Sequence, residues 1–262
     1  MTSVDAQIDL MSYNIKYANE NDGENSWSKR KSHLTNQLKY YEPEIFGVQE
    51  ALVSQLTHFE TAMDGYKYVG VGREGKEAGE FSAIFYDSSQ FEVLHQDTFW
   101  LSETPNDVSK GWDAAYKRIC TYAKFKEKKS GKSFWVFNTH FDHIGRKARI
   151  NSAQLIWDKI SALNTTDLPV FLMGDLNLEP NTAPIKFLAE KMQDSKKLAQ
   201  VSFGPEGTFN GYKFNQSVTR RIDYIFVNEG IKVLKYAVLS DSKDLKYPSD
   251  HLPVIIRAQF ID

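Results

Sequence analysis

The chain has little of several things, and each scarcity narrows its class. Its 262 residues include one cysteine, Cys120, so no internal disulfide framework can form. That suits the cytosol and does not exclude an exported protein that needs no disulfide. No apolar run nears the ~20 residues needed to cross a bilayer. Residues 1–9 lack a cationic start followed by an apolar stretch, so no signal peptide is read there. A leader removed earlier would leave no trace, and the cellular location stays open. Net charge is only -2, from 32 basic against 34 acidic residues. A protein gripping a long duplex through its phosphates is usually more basic or carries a basic stripe. The balance therefore favours a small or locally bound ligand. There is no internal repeat, low-complexity tract or Pro/Gly/Ser linker, so residues 1–262 are read as one domain, expected to be monomeric.

What is present is ordinary globular material, 41% hydrophobic and 25% charged, with a high aromatic share of 13%. Such a share fits a sheet-rich core whose layers are filled by large rings. Alternation predicts strands at 8–13 and 117–126, and short strand-like runs predict others at 45–49, 66–71, 81–86, 133–139, 169–173, 221–227, 232–239 and 254–260. Residues 127–132 form the turn of a hairpin. Helical spacing marks 27–41, through Leu34, Leu38 and Tyr41 with Pro43 as a stop, and 147–163, through Ile150, Ala153, Trp157 and Ile160. A third helix is read at 183–189. Strands outnumber interspersed helices, which argues for sheet layers with helices packed outside.

The informative pattern is where the apolar strands stop. Asn14 follows Met11-Ser12-Tyr13, Glu50 follows Val48-Gln49, and His140 follows Phe137-Asn138-Thr139. Asp175 and Asn177 follow Phe171-Leu172-Met173-Gly174, and Asp250-His251 precedes the last strand. Asp223 lies within the strand read at 221–227, where burying an unpaired carboxylate is costly. Singly, Asp, Asn and Gly close strands and start turns, and a lone histidine is commonly just hydrogen-bonded. Five such ends, with Asp223 besides, are harder to dismiss in one chain. Hard cations such as Mg²⁺ take oxygen ligands, a few carboxylates plus waters and phosphate oxygens. A scattered Glu, Asp and Asn set, with no cysteine cluster or zinc-spaced histidines, matches that preference.

As an ordered set, Asn14, Gln49-Glu50, Asn138-Thr139-His140, Gly174-Asp175-Leu176-Asn177, Asp223-Tyr224 and Ser249-Asp250-His251-Leu252-Pro253-Val254 resemble the endonuclease/exonuclease/phosphatase superfamily. The resemblance runs from Asn14 to Val254. It implies a four-layered α/β/β/α sandwich and divalent-metal-dependent phosphoester hydrolysis with Mg²⁺ or Mn²⁺. Glu50 would be the principal metal ligand, with Asn14 and Asp250 beside it. Asp175 and Asn177 would sit at the scissile phosphate, orienting water or holding a second metal. His251 would be the general base or a transition-state stabiliser, oriented by Asp223. A histidine titrating near neutrality can pass protons at working pH, and a carboxylate on its far nitrogen fixes the tautomer.

His140 resembles the second histidine of deoxyribonuclease-like, deadenylase-like and sphingomyelinase-like members. In those an upstream glutamate lies against it; Glu80 is placed to be that glutamate or is a solvated loop charge. Arg118 sits where members carry a phosphate-contacting arginine, and a guanidinium suits bidentate phosphate binding; an exposed strand arginine is the alternative. The run Asn138-Thr139-His140-Phe141-Asp142-His143 is similar to that of a set of bacterial members. If the strand continues, Asp142 shares a face with His140 and could line the cleft; otherwise it is a hydrogen-bonded loop residue. The aromatic run 208–214 could stack on a base or sugar or simply pack, and Trp27, Trp100 and Trp112 are equally open. Lys29-Arg30-Lys31 reads as the solvated face of the first helix.

The tract Arg220-Arg221-Ile222-Asp223-Tyr224 lacks the Trp-Cys-Asp-Arg pattern of inositol polyphosphate phosphatases, and Asn-Thr-His moves the chain away from abasic-site endonucleases. Near-neutral charge weakens a nonspecific duplex nuclease, and no hydrophobic insertion suggests a sphingomyelinase. The expected substrate is a phosphoester from nucleic acid, a nucleotide, or a sugar or lipid head group. The competing reading is a catalytically inactive binding or scaffold protein on the same fold.

Overall fold

The computed structural model describes residues 7–261; the opening stretch read above for a signal lies outside the described residues up to position 6. In chain order the elements are β1 (Gln7–Asn14), α1 (Trp27–Tyr41), β2 (Ile45–Gln49), α2 (Val53–Ala62), β3 (Tyr66–Val69), β4 (Ile84–Asp87) and β5 (Phe91–Trp100). Then come β6 (Ile119–Glu127), β7 (Ser133–His140), α3 (Arg146–Leu163), β8 (Val170–Asp175), α4 (Ala183–Lys191), β9 (Gln193–Asp194) and α5 (Ser195–Leu198). The chain closes with β10 (Val201–Phe203), β11 (Asp223–Val227), β12 (Ile231–Val238) and β13 (Val254–Phe260). One sheet has the order β10-β12-β13-β1-β2-β4-β3, the other β5-β6-β7-β8-β11-β9. Both are mixed: β1 runs parallel to β2 and β7 parallel to β8, among antiparallel neighbours.

Period-two alternation sorts the side chains into three apolar layers. Leu10, Ile45, Val136, Phe171, Met173 and Ile225 meet between the sheets. Met11, Tyr13, Phe46 and Val48 face outward, where α1 and α2 cover them with Leu34, Leu38, Leu56 and Phe59. On the other side Phe137, Leu172, Tyr224 and Phe226 lie under α3 and α4, against Ala153, Ile156, Ile160 and Leu188. The result is the expected α/β/β/α sandwich. The buried face of α3 is Ala153, Ile156 and Ile160, with Ile150 44% exposed rather than buried as its spacing suggested.

Two elements were not legible from the pattern. The middle of β5 is exposed and polar, because the strand lies at a sheet edge and shows no alternation. Helix α2 buries only Gln55, Leu56 and Phe59, too few apolar positions to reveal a period. Its start is held by Gln55, whose Oε1 accepts from Leu52 N at 3.0 Å.

The two sheets come close together where β2 faces β7 and β8. A Cβ on Gly47 would come within 2.6 Å of Met173 Cε and 2.7 Å of Asn138 Cγ, so only glycine fits there. At the far side of β11, Arg221 and Asp194 form a buried two-point ion pair at 2.7 and 2.6 Å. It fastens β9 to the entry of β11, the strand that begins with Asp223. Removing one member of a buried pair strands the other charge, at a cost of about 3–5 kcal/mol. Asp194→Ala should lose stability on that scale in urea unfolding; a loss below about 1 kcal/mol would show the pair to be inconsequential.

Candidate active site

The inner-facing period that carries apolar side chains along each strand turns polar at one end. Asn14 closes β1, Gln49 closes β2, His140 closes β7, Asp175 closes β8 and Asp223 opens β11. Register brings these ends together: Asn14 lies beside Gln49, His140 beside Asp175, and Asp175 beside Asp223. Asp223 is thus the first residue of its strand and not an interior one. Around these ends is a cleft of about 540 Å³ whose lining includes Glu50, His140, Asp175, Asn177, Asp250 and His251.

His251 and Asp223 form a buried pair, with Nδ1 to Oδ2 at 2.9 Å. Thr208 orients the carboxylate: its hydroxyl donates to Asp223 Oδ2 at 2.5 Å and accepts from Ile222 N and Asp223 N, both at 3.1 Å. The other ring nitrogen, Nε2, lies 3.7 Å from Asp175 Oδ2. Burial works against a charged ring here, but Asp223 and Asp175 outweigh it and raise the pKa of His251 to about 10. Burial and the nearby Asp223 in turn raise that of Asp175, making it a stronger base than an ordinary carboxylate.

His140 is the electrostatic opposite. Burial, then the charges of Arg118 and His251, hold its pKa well below the usual value. The neutral ring fits the geometry, in which Nε2 lies 3.0 Å from the Asn177 amide nitrogen and 3.5 Å from Asp175 Oδ2. Asn177 also donates to Phe141 O, while its own N–H reaches Asp175 Oδ1 at 2.9 Å. Glu50 and Asn177 both have left-handed backbones, with φ of +59° and +50°. Such conformations cost energy away from glycine and gather where geometry is over-determined.

Glu50 and Asp250 form an acidic pole. Burial, chiefly, and the charge of Glu50 raise the pKa of Asp250, while Lys16, 3.5 Å from Glu50, helps keep Glu50 ionised against its own burial. Two partly dehydrated carboxylates with hard oxygen donors suit Mg²⁺ or Mn²⁺. Asn14, the third residue expected near the cation, lies against Glu50. Its amide nitrogen spans Glu50 Oε1 at 3.1 Å and Asp175 Oδ2 at 2.9 Å, and its oxygen accepts from Lys16 N. In this arrangement it spaces the carboxylates. Asp175, Asp223 and His251 also place ligand atoms within 4.8 Å of one another. There, however, the hydrogen bonds from Thr208 and His251 already occupy Asp223.

Three expectations change. Glu80 reaches the cleft, yet its carboxylate pairs with Arg73 Nη1 at 2.8 Å rather than with His140. Asp142 does not line the cleft, because β7 ends at His140 and the chain turns away. Its buried carboxylate accepts from the N–H groups of Ala115, Tyr116, Ile144 and Gly145. Arg30 is buried, not solvated: its guanidinium donates to the carbonyls of Ile15, Lys16 and Pro248, fastening the loops beside Glu50 and Asp250. Arg118, by contrast, lies in the cleft wall, 6% exposed. Within the aromatic run, Phe209 packs edge-on to the His251 ring at 5.1 Å. Trp27 joins the outer core, Trp100 donates to Arg73 O, and Trp112 N–H reaches Glu103. Nothing in the local sequence of Lys16, Arg73 and Thr208 marks out their places in the site.

Such a sandwich edge sets oxygen donors for a hard cation beside two histidines able to handle protons. The model of the Endonuclease/Exonuclease/phosphatase family matches residues 11–251, and the chain belongs to that family of phosphoester hydrolases. Among solved structures it is similar to an endonuclease/exonuclease/phosphatase family protein from Bacteroides thetaiotaomicron, at 38% identity and TM-score 0.95, covering 98% of this chain and 99% of that one. It is likewise similar to a mannosyl-6-phosphatase from Bacteroides thetaiotaomicron, at 38% identity and TM-score 0.93, covering 97% and 100%. Protein angel of Drosophila melanogaster is 28% identical over 78% of this chain, which spans 60% of that protein.

The loop after His140 hangs on Asp142. Burial pushes its carboxyl up, but the backbone donors of Gly145, Ile144, Ala115 and Tyr116 prevail and bring the pKa to about 2. The folded value lies below the unfolded one, so the resulting stability is present above about pH 4 and is lost as pH falls through about 2. Asp142→Asn should cost on the order of 1–2 kcal/mol at pH 7, with the gap to wild type closing toward pH 2 in urea titrations. A gap independent of pH would contradict this account.

Proposed function

We propose that the chain hydrolyses a small phosphate ester, acting as a single-domain monomer with a divalent cation, Mg²⁺ or Mn²⁺, held at Glu50 and Asp250. The observation that carries this is the convergence of three devices on one cleft: the acidic pole, the His251–Asp223 pair and the Asp175–Asn177 turn. When bound, the cation supplies charge neutralisation at the phosphate oxygens.

The chain's own groups supply the rest. Asp175, with its raised pKa, takes the proton of the attacking water at Oδ2 as the water oxygen bonds to phosphorus. The ester P–O bond breaks in the same step, and the departing oxygen leaves as an alcohol protonated from solvent. Asn14 and the Asn177 backbone hold that carboxylate in place. His251, protonated and locked by Asp223 and Thr208, presents Nε2–H to the charge that grows on the phosphoryl oxygens. Asn177 and the neutral His140 also line the cleft and orient the ester. Arg118 adds a charged donor at the wall.

A cleft of about 540 Å³ is of small-ligand size, which with the net charge of -2 supports a small ester over a long duplex. Similarity to a mannosyl-6-phosphatase puts phosphorylated sugars first among substrates to try, followed by nucleotides and nucleic-acid ends.

Purified protein should release 4-nitrophenol from nitrophenyl phosphate esters with Mg²⁺ or Mn²⁺ and stop on addition of EDTA. His251→Ala should lower kcat by roughly 10²–10⁴-fold while the protein stays folded. Absence of turnover across sugar phosphates, nucleotides and oligonucleotides would instead favour a binding protein on this fold.

A further inference from the structure

Arg73 is a second guanidinium in the wall of the cleft, beside Arg118. Both face the ring of Tyr116, with their guanidinium carbons 5.0 and 5.9 Å from its centroid. The Tyr116 ring also stacks with His143 at 5.9 Å and 17°. Arg73 is held at its backbone on both sides: its N–H donates to Glu80 O at 2.9 Å, and its carbonyl accepts from the Trp100 indole at 2.8 Å. Its side chain is fixed by Glu80, as that of Arg118 is by His143 Nδ1 at 3.2 Å. Two like charges are thus brought together and immobilised.

Each arginine nevertheless keeps unused donors. The Nε atoms of both are buried without a hydrogen-bond partner. Among the described residues, Arg73 Nη2 and Arg118 Nη1 have no acceptor either. Glu80 offsets one of the positive charges. Asp142, 3.6 Å from Arg118, spends its carboxylate on four backbone N–H groups. A rigid, under-satisfied pair of forks is a receptor for an anion with several oxygens.

We infer that Arg73, together with Arg118, clasps the free oxygens of a terminal phosphate and so selects phosphomonoesters over phosphodiesters. The inference rests on the hydrolase reading above. A phosphodiester carries one negative charge on two non-bridging oxygens. A monoester carries close to two at neutral pH, spread over three. With the cation and His251 serving one side of the phosphorus, the extra oxygen and charge of a monoester need a second fork. In a diester that oxygen bears another organic group, and the donors of Arg73 are left without an acceptor.

The competing account is that Arg73 merely neutralises Glu80 and holds its loop. Measuring kcat/KM for 4-nitrophenyl phosphate and bis(4-nitrophenyl) phosphate separates the two. Wild type should prefer the monoester. Arg73→Gln should reduce the monoester-to-diester ratio at least about tenfold, equivalent to 1.4 kcal/mol of discrimination. Arg73→Gln with Glu80→Gln, which leaves no buried charge unpaired, should show the same fall, and Arg73→Lys should recover part of it. A wild-type preference for the diester, equal losses on both substrates, or a ratio restored in the double variant would overturn the inference. If wild type turns over neither ester, the hydrolase reading fails separately, and calorimetry with inorganic phosphate and dimethyl phosphate decides the clamp. Arg73→Gln must then weaken phosphate about tenfold more than dimethyl phosphate; equal weakening overturns it.

Discussion

At the active-site end the two sheets are joined by an amide pair, and the site's dimensions follow from it. Gln49 Nε2 donates to Asn138 Oδ1 at 2.7 Å, while Asn138 Nδ2 donates to Val48 O and Ala83 O across the same gap. All these groups are buried, so losing either partner would leave unpaired amides in a low-dielectric interior, at about 1–3 kcal/mol each. Glu50 follows Gln49 directly, and His140 stands two residues beyond Asn138 on the same face. The bridge therefore sets how far the acidic pole stands from the His140 side. Gly47 permits the approach by presenting no side chain to Met173 and Asn138.

Around that bridge the fold tolerates charges that would otherwise prevent folding. Glu50, Asp175, Asp223 and Asp250 are crowded where water is scarce, and such a group survives only if each member is hydrogen-bonded or countered. Asn14 separates two of them, Thr208 and His251 hold a third, and Lys16 faces Glu50. The same crowding lifts the pKa values of Asp175 and His251. Chemistry and strain have one origin here, since a carboxylate able to accept a proton near neutrality must be one that dislikes its charge.

The rim is built differently from the floor. The floor consists of strand ends whose positions are set by the β-ladders. Arg73, Tyr116 and His143 stand on connecting segments, where backbone hydrogen bonds and ring contacts replace the ladder. Arg30 works from below, reaching from α1 to carbonyls on both loops that flank the acidic pole. Loops on a rigid scaffold are where substrate choice can vary without disturbing the reacting groups.

The strand and helix pattern was legible because burial imposes a period, two in β1, β7 and β8 and about 3.6 in α1 and α3. Residues such as Glu50, His140 and Asp175 stood out because they interrupt that pattern where apolar side chains were due. The family order of Asn14, Glu50, His140, Asp175, Asp223 and His251 could likewise be read along the chain. Partnership could not. Glu80 paired with Arg73 instead of His140, Asp142 turned from the cleft to cap a loop, and Arg30 went from a solvated face into the interior. Local sequence determines which groups are available and at which strand end they arrive. Which donor meets which acceptor depends on distances between segments far apart in the chain, and only the packing of the two sheets and their loops decides those.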